Sequence, residues 1–296
     1  MLKPYEWMTT YTPQTEWVKK KGIFTPLAFY SGLVGGSLYL ISVYFDSVAG
    51  IALSWIIVAL IKGIFHIMDL HKPLRAFRMV FRAQTSWISR GLFFVIVFVV
   101  FVPIQLFLSL YFPNTGYQII FKTVAVISAF GLCLYPGFTL NCLNAVPVWN
   151  SAIVPPLFIA CGLLGGFAFL EAIGMFSGGT IIKQAETASG VLIPITALLT
   201  VIYLISTQYI GPIGKQAVKE IISGHLSALF WGGVIIVGLI MPFLALLLGY
   251  AGVTTSPVLN ILAVIGEIIC GLSLTFIIME IGAYNPLAPL SHPMSA

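Results

Sequence analysis

Charge is scarce in this chain of 296 residues: 8% are Asp, Glu, Lys or Arg, against 59% hydrophobic. A soluble domain is about a quarter charged and about half apolar, so the water-soluble classes are excluded at the outset. Paired cysteines are missing too. Cys133, Cys142, Cys161 and Cys270 are scattered through separate apolar segments without a CxxC spacing, which argues against a zinc site, an iron–sulfur cluster or a disulfide framework in this chain. Residues 1 to 21 lack the apolar run of a cleavable signal peptide, so the first apolar segment is expected to act as its own insertion signal. In so apolar a chain the net charge of +5 is a topology signal and no nucleic-acid footprint.

What the sequence has instead is apolar length. Eight runs, roughly 24–45, 48–68, 88–111, 119–143, 152–175, 190–209, 226–249 and 256–282, have the length that a helix needs to cross a bilayer. They are too long and too uniformly apolar for barrel strands, and backbone groups in lipid must be satisfied internally. An all-α, eight-span, multi-pass membrane protein follows. Its expected organisation is a surface segment over 1–23, a first four-helix bundle over 24–143, a second over 144–282 and a tail over 283–296.

Eight spans put both termini on one side, here side A. That side collects Lys3, Lys19, Lys20, Lys21, Lys72, Arg75, Arg78, Arg82, Arg90, Lys215 and Lys219, whereas side B has Lys122 and Lys183. The positive-inside rule would make side A cytoplasmic, and a basic docking surface would give the same count. An internal repeat is also visible. "TPLAFYSGLVGGSLYL" (25–40) and "PPLFIACGLLGGFAFL" (155–170) share Pro, Leu, Gly, Leu, Gly, Gly and Leu at one offset. This points to a parallel duplication of two four-helix units, with two unrelated close-packing glycine faces as the alternative.

Ionisable groups inside spans are functional-site candidates by default. Lys62, His66 and Asp69 fall at i, i+4 and i+7 near the side A end of the second run and share one helical face. Tyr135 precedes Pro136, whose ring removes a backbone hydrogen bond and is expected to bend the fourth helix beside a phenol. Glu267 sits near mid-membrane, Glu280 near the side A exit, and Glu171 toward side B, where Lys122 is an available partner. Lys62, Glu171, Glu267 and Glu280 are the candidates for a proton path. In "LRAFRMVFRA" (74–83) Leu74, Phe77 and Phe81 form one face and Arg75, Arg78 and Arg82 an adjacent one, the pattern of a short helix lying in the interface.

The stretch "HIMDLHKPLRAFRMVFRAQTSWISRG" (66–91), followed by "YPGFTLNCLNAVPVWNS" (135–151), resembles the NrfD/polysulfide reductase membrane-subunit family, and the likeness spans residues 25 to about 175. The resemblance implies eight helices in two four-helix bundles, set in a prokaryotic cell (inner) membrane. It also implies exchange of electrons between the quinone pool and a ferredoxin-like iron–sulfur subunit, which leads on to a molybdopterin or tungstopterin catalytic subunit. On this basis Tyr135 lines a quinone pocket, menaquinone being the expected quinone, and Lys72, Arg75, Arg78 and Arg82 lie where the iron–sulfur subunit docks. The polysulfide reductase branch places a histidine and an asparagine early in its first helix, where this chain has Phe24 and Leu27. The quinone contacts then fall to Tyr135, His66 and Asp69, or the substrate differs.

Chemistry agrees with that assignment, because a quinone site needs a phenol or imidazole at its carbonyls and a carboxylate to exchange protons. With no haem or iron–sulfur motif in the chain, electrons must pass to a docked partner. Two rivals share some features. A secondary transporter would show repeats and mid-membrane carboxylates, and a b-haem anchor could use His66 and His225 as axial ligands.

Overall fold

The computed structural model describes residues 12–14, 17–70, 79, 81–113, 115–177, 180–252 and 257–284. Among them run α1 (Phe24–Tyr44), α2 (Val48–Asp69), α3 (Trp87–Tyr111), α4 (Gly116–Asn141), α5 (Val154–Ser177), α6 (Thr180–Gln208), α7 (Pro212–Ile222), α8 (Leu229–Tyr250) and α9 (Pro257–Glu280). All except α7 are long and apolar enough to cross a membrane, which gives the eight spans expected of an all-α integral membrane protein. Polar caps start several of them: Ser47, Ser86 and Thr115 accept from the backbone N–H groups of Gly50, Ser89 and Gln118, which have no partner inside the helix.

Burial separates central spans from peripheral ones. The most apolar stretch of α1 is 78% buried and that of α5 is 67% buried, against 22% for α3. The least apolar span, α1, is the most buried and the most apolar, α3, the least, because small residues and not apolarity drive helix packing in lipid; α1 and α5 are the axis on which α2, α4, α6 and α9 pack. Glycine makes the close approach possible. A Cβ on Gly36 would stand 2.8 Å from the Ala129 carbonyl oxygen on α4, and one on Gly166 would stand 2.9 Å from the Leu38 nitrogen on α1. The two glycine triplets make different contacts, however. Gly32 and Gly35 face α2, whereas Gly162 and Gly166 face α1.

Three features depart from a reading of apolar runs. Helix α6 begins at Thr180, about ten residues ahead of its apolar run, and Lys183, Glu186, Thr187 and Ser189 in this polar stretch line a cavity and need no lipid contact. Helix α7 is amphipathic, with Ile213, Ala217, Val218 and Ile221 buried and Pro212 in its first turn, where a missing N–H is harmless. Strand β1 (Thr12–Pro13) pairs antiparallel with β2 (Ala283–Tyr284), and the Gln14 N–H donates to the Gly282 carbonyl at 2.7 Å. The segments flanking α1 and α9 therefore meet at one end of the bundle.

Candidate functional site

Helix α2 is not wound evenly. Residues Ile57–Lys62 form a π-helical segment that ends on Lys62, and such wide turns recur at functional sites. The Lys62 side chain is 0% exposed. It threads past α1 at Gly32, where a Cβ would stand 2.9 Å from Nζ. Nζ donates to the Ala28 carbonyl at 2.8 Å and to the Tyr135 hydroxyl, and it lies 3.1 Å from His66 Nε2. An ammonium has three protons and no lone pair, so these three acceptors saturate it. In the ammonium form of Lys62, His66 accepts at Nε2 and carries its ring proton on Nδ1. The Tyr135 oxygen is likewise an acceptor toward Lys62, and the phenol proton is left for a partner on the other side.

Tyr135 is 2% exposed and is packed by residues of α1 and α3. Phe29 meets its ring edge-on at 5.7 Å, and Gly91 of α3 lies where any side chain would collide with it. Helix α4 runs continuously through Pro136, and Thr139 Oγ1 donates to the Tyr135 carbonyl at 2.7 Å.

On the open side of Tyr135 lies a cavity of about 370 Å³. Its body is apolar, made by Trp17, Phe29, Ile88 and Leu92, and its polar groups are Thr25, His66, Asp69 and Tyr135. Thr25 Oγ1 donates to Asp69 Oδ1 at 3.0 Å. The structure thus brings Tyr135, His66 and Asp69 to one cavity and adds Lys62 directly behind them. Thr25, Trp17, Phe29 and Gly91 complete the site without having been singled out, since nothing in their spacing distinguishes them from ordinary packing residues.

The remaining candidates lie elsewhere. Ser189 Oγ stands between Glu171 Oε1 at 2.7 Å and Glu267 Oε2 at 3.3 Å. These carboxylates line a second cavity of about 370 Å³ together with Lys183, Glu186 and Asn260. Glu171 is therefore held by Ser189 and not by Lys122, because α6 presents a hydroxyl closer than any cation. Glu280 ends α9 beside His225, whose Nε2 is 3.8 Å from Oε1. His225 Nδ1 is 2.8 Å from Glu220 Oε2, and hydrogen bonding to His225 holds the Glu220 carboxyl below the usual carboxylate range.

Of the basic stretch, Lys72, Arg75 and Arg78 lie outside the described residues, and so does most of the interfacial helix expected at 74–83. Arg82 is exposed. Arg90 turns inward to its own backbone: Nε donates to the Ala83 carbonyl at 2.9 Å, Nη2 donates to that of Gln84 at 2.8 Å, and the guanidinium stacks 4.7 Å from the Trp87 ring. For the haem alternative, His66 Nε2 is occupied by Lys62 and His225 Nδ1 by Glu220. Among the described residues no three metal-ligating side chains converge.

Comparison with known proteins fits this architecture. The family described as Polysulphide reductase, NrfD, matches residues 27–286. The chain is similar to the Protein NrfD homolog of Haemophilus influenzae, at 30% identity over 132 residues, which is 43% of this chain and 40% of that protein. It is also similar to a polysulfide reductase subunit of Wolinella succinogenes, at 30% identity over 127 residues, 41% of this chain and 40% of that protein. The chain thus spans about two fifths of the length of each of these curated relatives. A match across nearly all of α1 to α9, on an eight-span all-α scaffold, decides the matter: the chain belongs to the NrfD polysulphide reductase family of multi-pass membrane proteins.

Proposed function

We propose that the protein is the quinone-reactive membrane subunit of a respiratory oxidoreductase, with menaquinol as the first candidate substrate. One observation carries the proposal: a phenol, an imidazole and a carboxylate converge on the polar end of an otherwise apolar cavity, next to the basic stretch that begins at residue 66. The cavity lies within the range of ligand pockets, about 300 to 1,000 Å³. A flat ring fits between Phe29, Ile88 and Leu92, with Tyr135 at one oxygen and Asp69 toward the other.

Oxidation of a quinol releases two electrons and two protons. Tyr135 and Asp69 are placed to exchange the protons, and the electrons need an acceptor outside this chain. A ferredoxin-like iron–sulfur subunit docked over Lys72, Arg75, Arg78 and Arg82 would take them and pass them to a molybdopterin or tungstopterin catalytic subunit. The name of the Wolinella relative, one component of a reductase, supports such an assembly. Charge at the docking surface would steer the partner into register. Glu171 and Glu267 are assigned a separate role, proton exchange at the second cavity. Glu280, engaged by His225, is left out of that path.

The test is menaquinol oxidation by the co-purified complex. Tyr135→Phe is expected to lower turnover about 100-fold, the scale of a lost acid–base group, with all partner subunits still bound. Undiminished turnover would place the quinone pocket elsewhere.

A further inference from the structure

We propose that Lys62 is a proton relay between His66 and Tyr135, through which the buried oxygen of the quinol exchanges its proton with the side of the membrane where the pocket opens. The proposal rests on the quinone assignment above and deepens it. Tyr135 is buried against Phe29 and Gly91, so a proton taken from a ring at its open side cannot pass around it to water. Behind it, however, stands a series of groups within hydrogen-bond reach: Tyr135 Oη, Lys62 Nζ, then His66 Nε2. His66 lines the cavity, and Asp69 follows it by one turn on the same helix. Gly32 leaves the space that this lysine needs beside α1.

Protons and electrons balance along this route. With Lys62 as the free amine, the quinol hydroxyl gives its proton to Tyr135 Oη while the phenol proton moves to Nζ, which yields the ammonium. Lys62 next passes a proton to His66 Nε2, His66 releases its Nδ1 proton to water at the pocket mouth, and exchange with that water returns the ring proton to Nδ1 before the next turnover. The second quinol hydroxyl, nearer the mouth, gives its proton to the Asp69 carboxylate, which passes it on to the same water. Both electrons leave to the iron–sulfur group of the docked partner. Quinone reduction runs the same relay backward. Lysine suits the task in a way that arginine does not, because an amine can shed its proton and a guanidinium cannot.

The experiment uses the whole complex and menaquinol oxidation. Lys62→Met, nearly isosteric and without exchangeable protons, is expected to lower kcat about 100-fold while KM stays within about threefold, because the cavity wall is unchanged. Lys62→Ala is expected to regain about tenfold in turnover with added methylamine and none with methanol of similar size, as an amine can carry a proton through the space left behind. Lys62→Met at wild-type turnover, or equal recovery of Lys62→Ala with amine and alcohol, would overturn the relay. An impaired Tyr135→Phe beside an unimpaired Lys62→Met sinks the relay alone. Full activity in both sinks the quinone assignment itself.

Discussion

Gly91 on α3 stands directly against the ring of Tyr135 on α4, so that no side chain fits between the two helices at this level. The ring has little room to shift, because it is 2% exposed and also packs edge-on against Phe29. Overpacking of this kind costs about 1–3 kcal/mol, and here the strain would fall on the residue that faces the quinone. Gly91→Ala is therefore expected to assemble with its partners yet lose at least about tenfold in menaquinol turnover. Turnover within a factor of two of wild type would show that the position of the Tyr135 ring does not matter to the reaction.

Arg90, next to Gly91, sits in the most charged part of the sequence but faces inward. Its two donors hold the carbonyls of Ala83 and Gln84, and its guanidinium covers Trp87. These contacts fix the segment that leads back to Met79, a cavity wall residue. Arg90→Ala should raise KM for quinol about threefold to tenfold with little change in kcat, the signature of lost ground-state binding. Arg90→Lys should resemble Arg90→Ala, since an ammonium cannot reproduce a stacked, forked contact. Steady-state kinetics of both variants decide this, and recovery of wild-type KM in Arg90→Lys would refute it.

The acidic pair in the second half makes a separable prediction. Glu171 and Glu267 share one serine donor, Ser189, in a cavity that the quinone pocket does not touch. In vesicles made leaky to protons, Glu267→Gln should oxidise menaquinol within about twofold of wild type. In sealed vesicles it should lose the proton movement that accompanies turnover. A tenfold fall in the leaky vesicles would draw this carboxylate into the quinol chemistry, and unaltered proton movement in the sealed ones would remove it from any path.

Sequence patterning disclosed the spans because hydrocarbon thickness imposes their length, and it located Lys62, His66 and Asp69 because ionisable groups on one face of an apolar helix need a reason to be there. What it could not disclose depends on neighbours from other helices. Lys62 was readable as a proton-path residue, but its pairing with Tyr135 joins α2 to α4, 73 positions apart. Thr25 and Gly91 carry no local signal, since a threonine or a glycine in a span is commonplace until its neighbour is known. Depth in the membrane pairs Glu171 with Lys122, yet the facing helix supplies Ser189. The polar start of α6 concealed a helix because a cavity-facing turn has no need to be apolar. The β1–β2 clasp escaped notice because it is two short segments with no strand pattern of their own.

The wide winding at Ile57–Lys62 also sets a phase for everything that follows it. A π turn closes each hydrogen bond over five residues where an α turn closes it over four, so this segment holds about one residue more than a regular helix of the same rotation. The wide turn takes up that residue locally, and Gly63–Asp69 keep the phase that brings His66 and Asp69 to the cavity. Loss of one codon within residues 57–62 would then tighten the turn and leave the pocket wall in place, whereas the same loss in the regular winding at residues 63–65 would swing His66 and Asp69 off the cavity by about 100°.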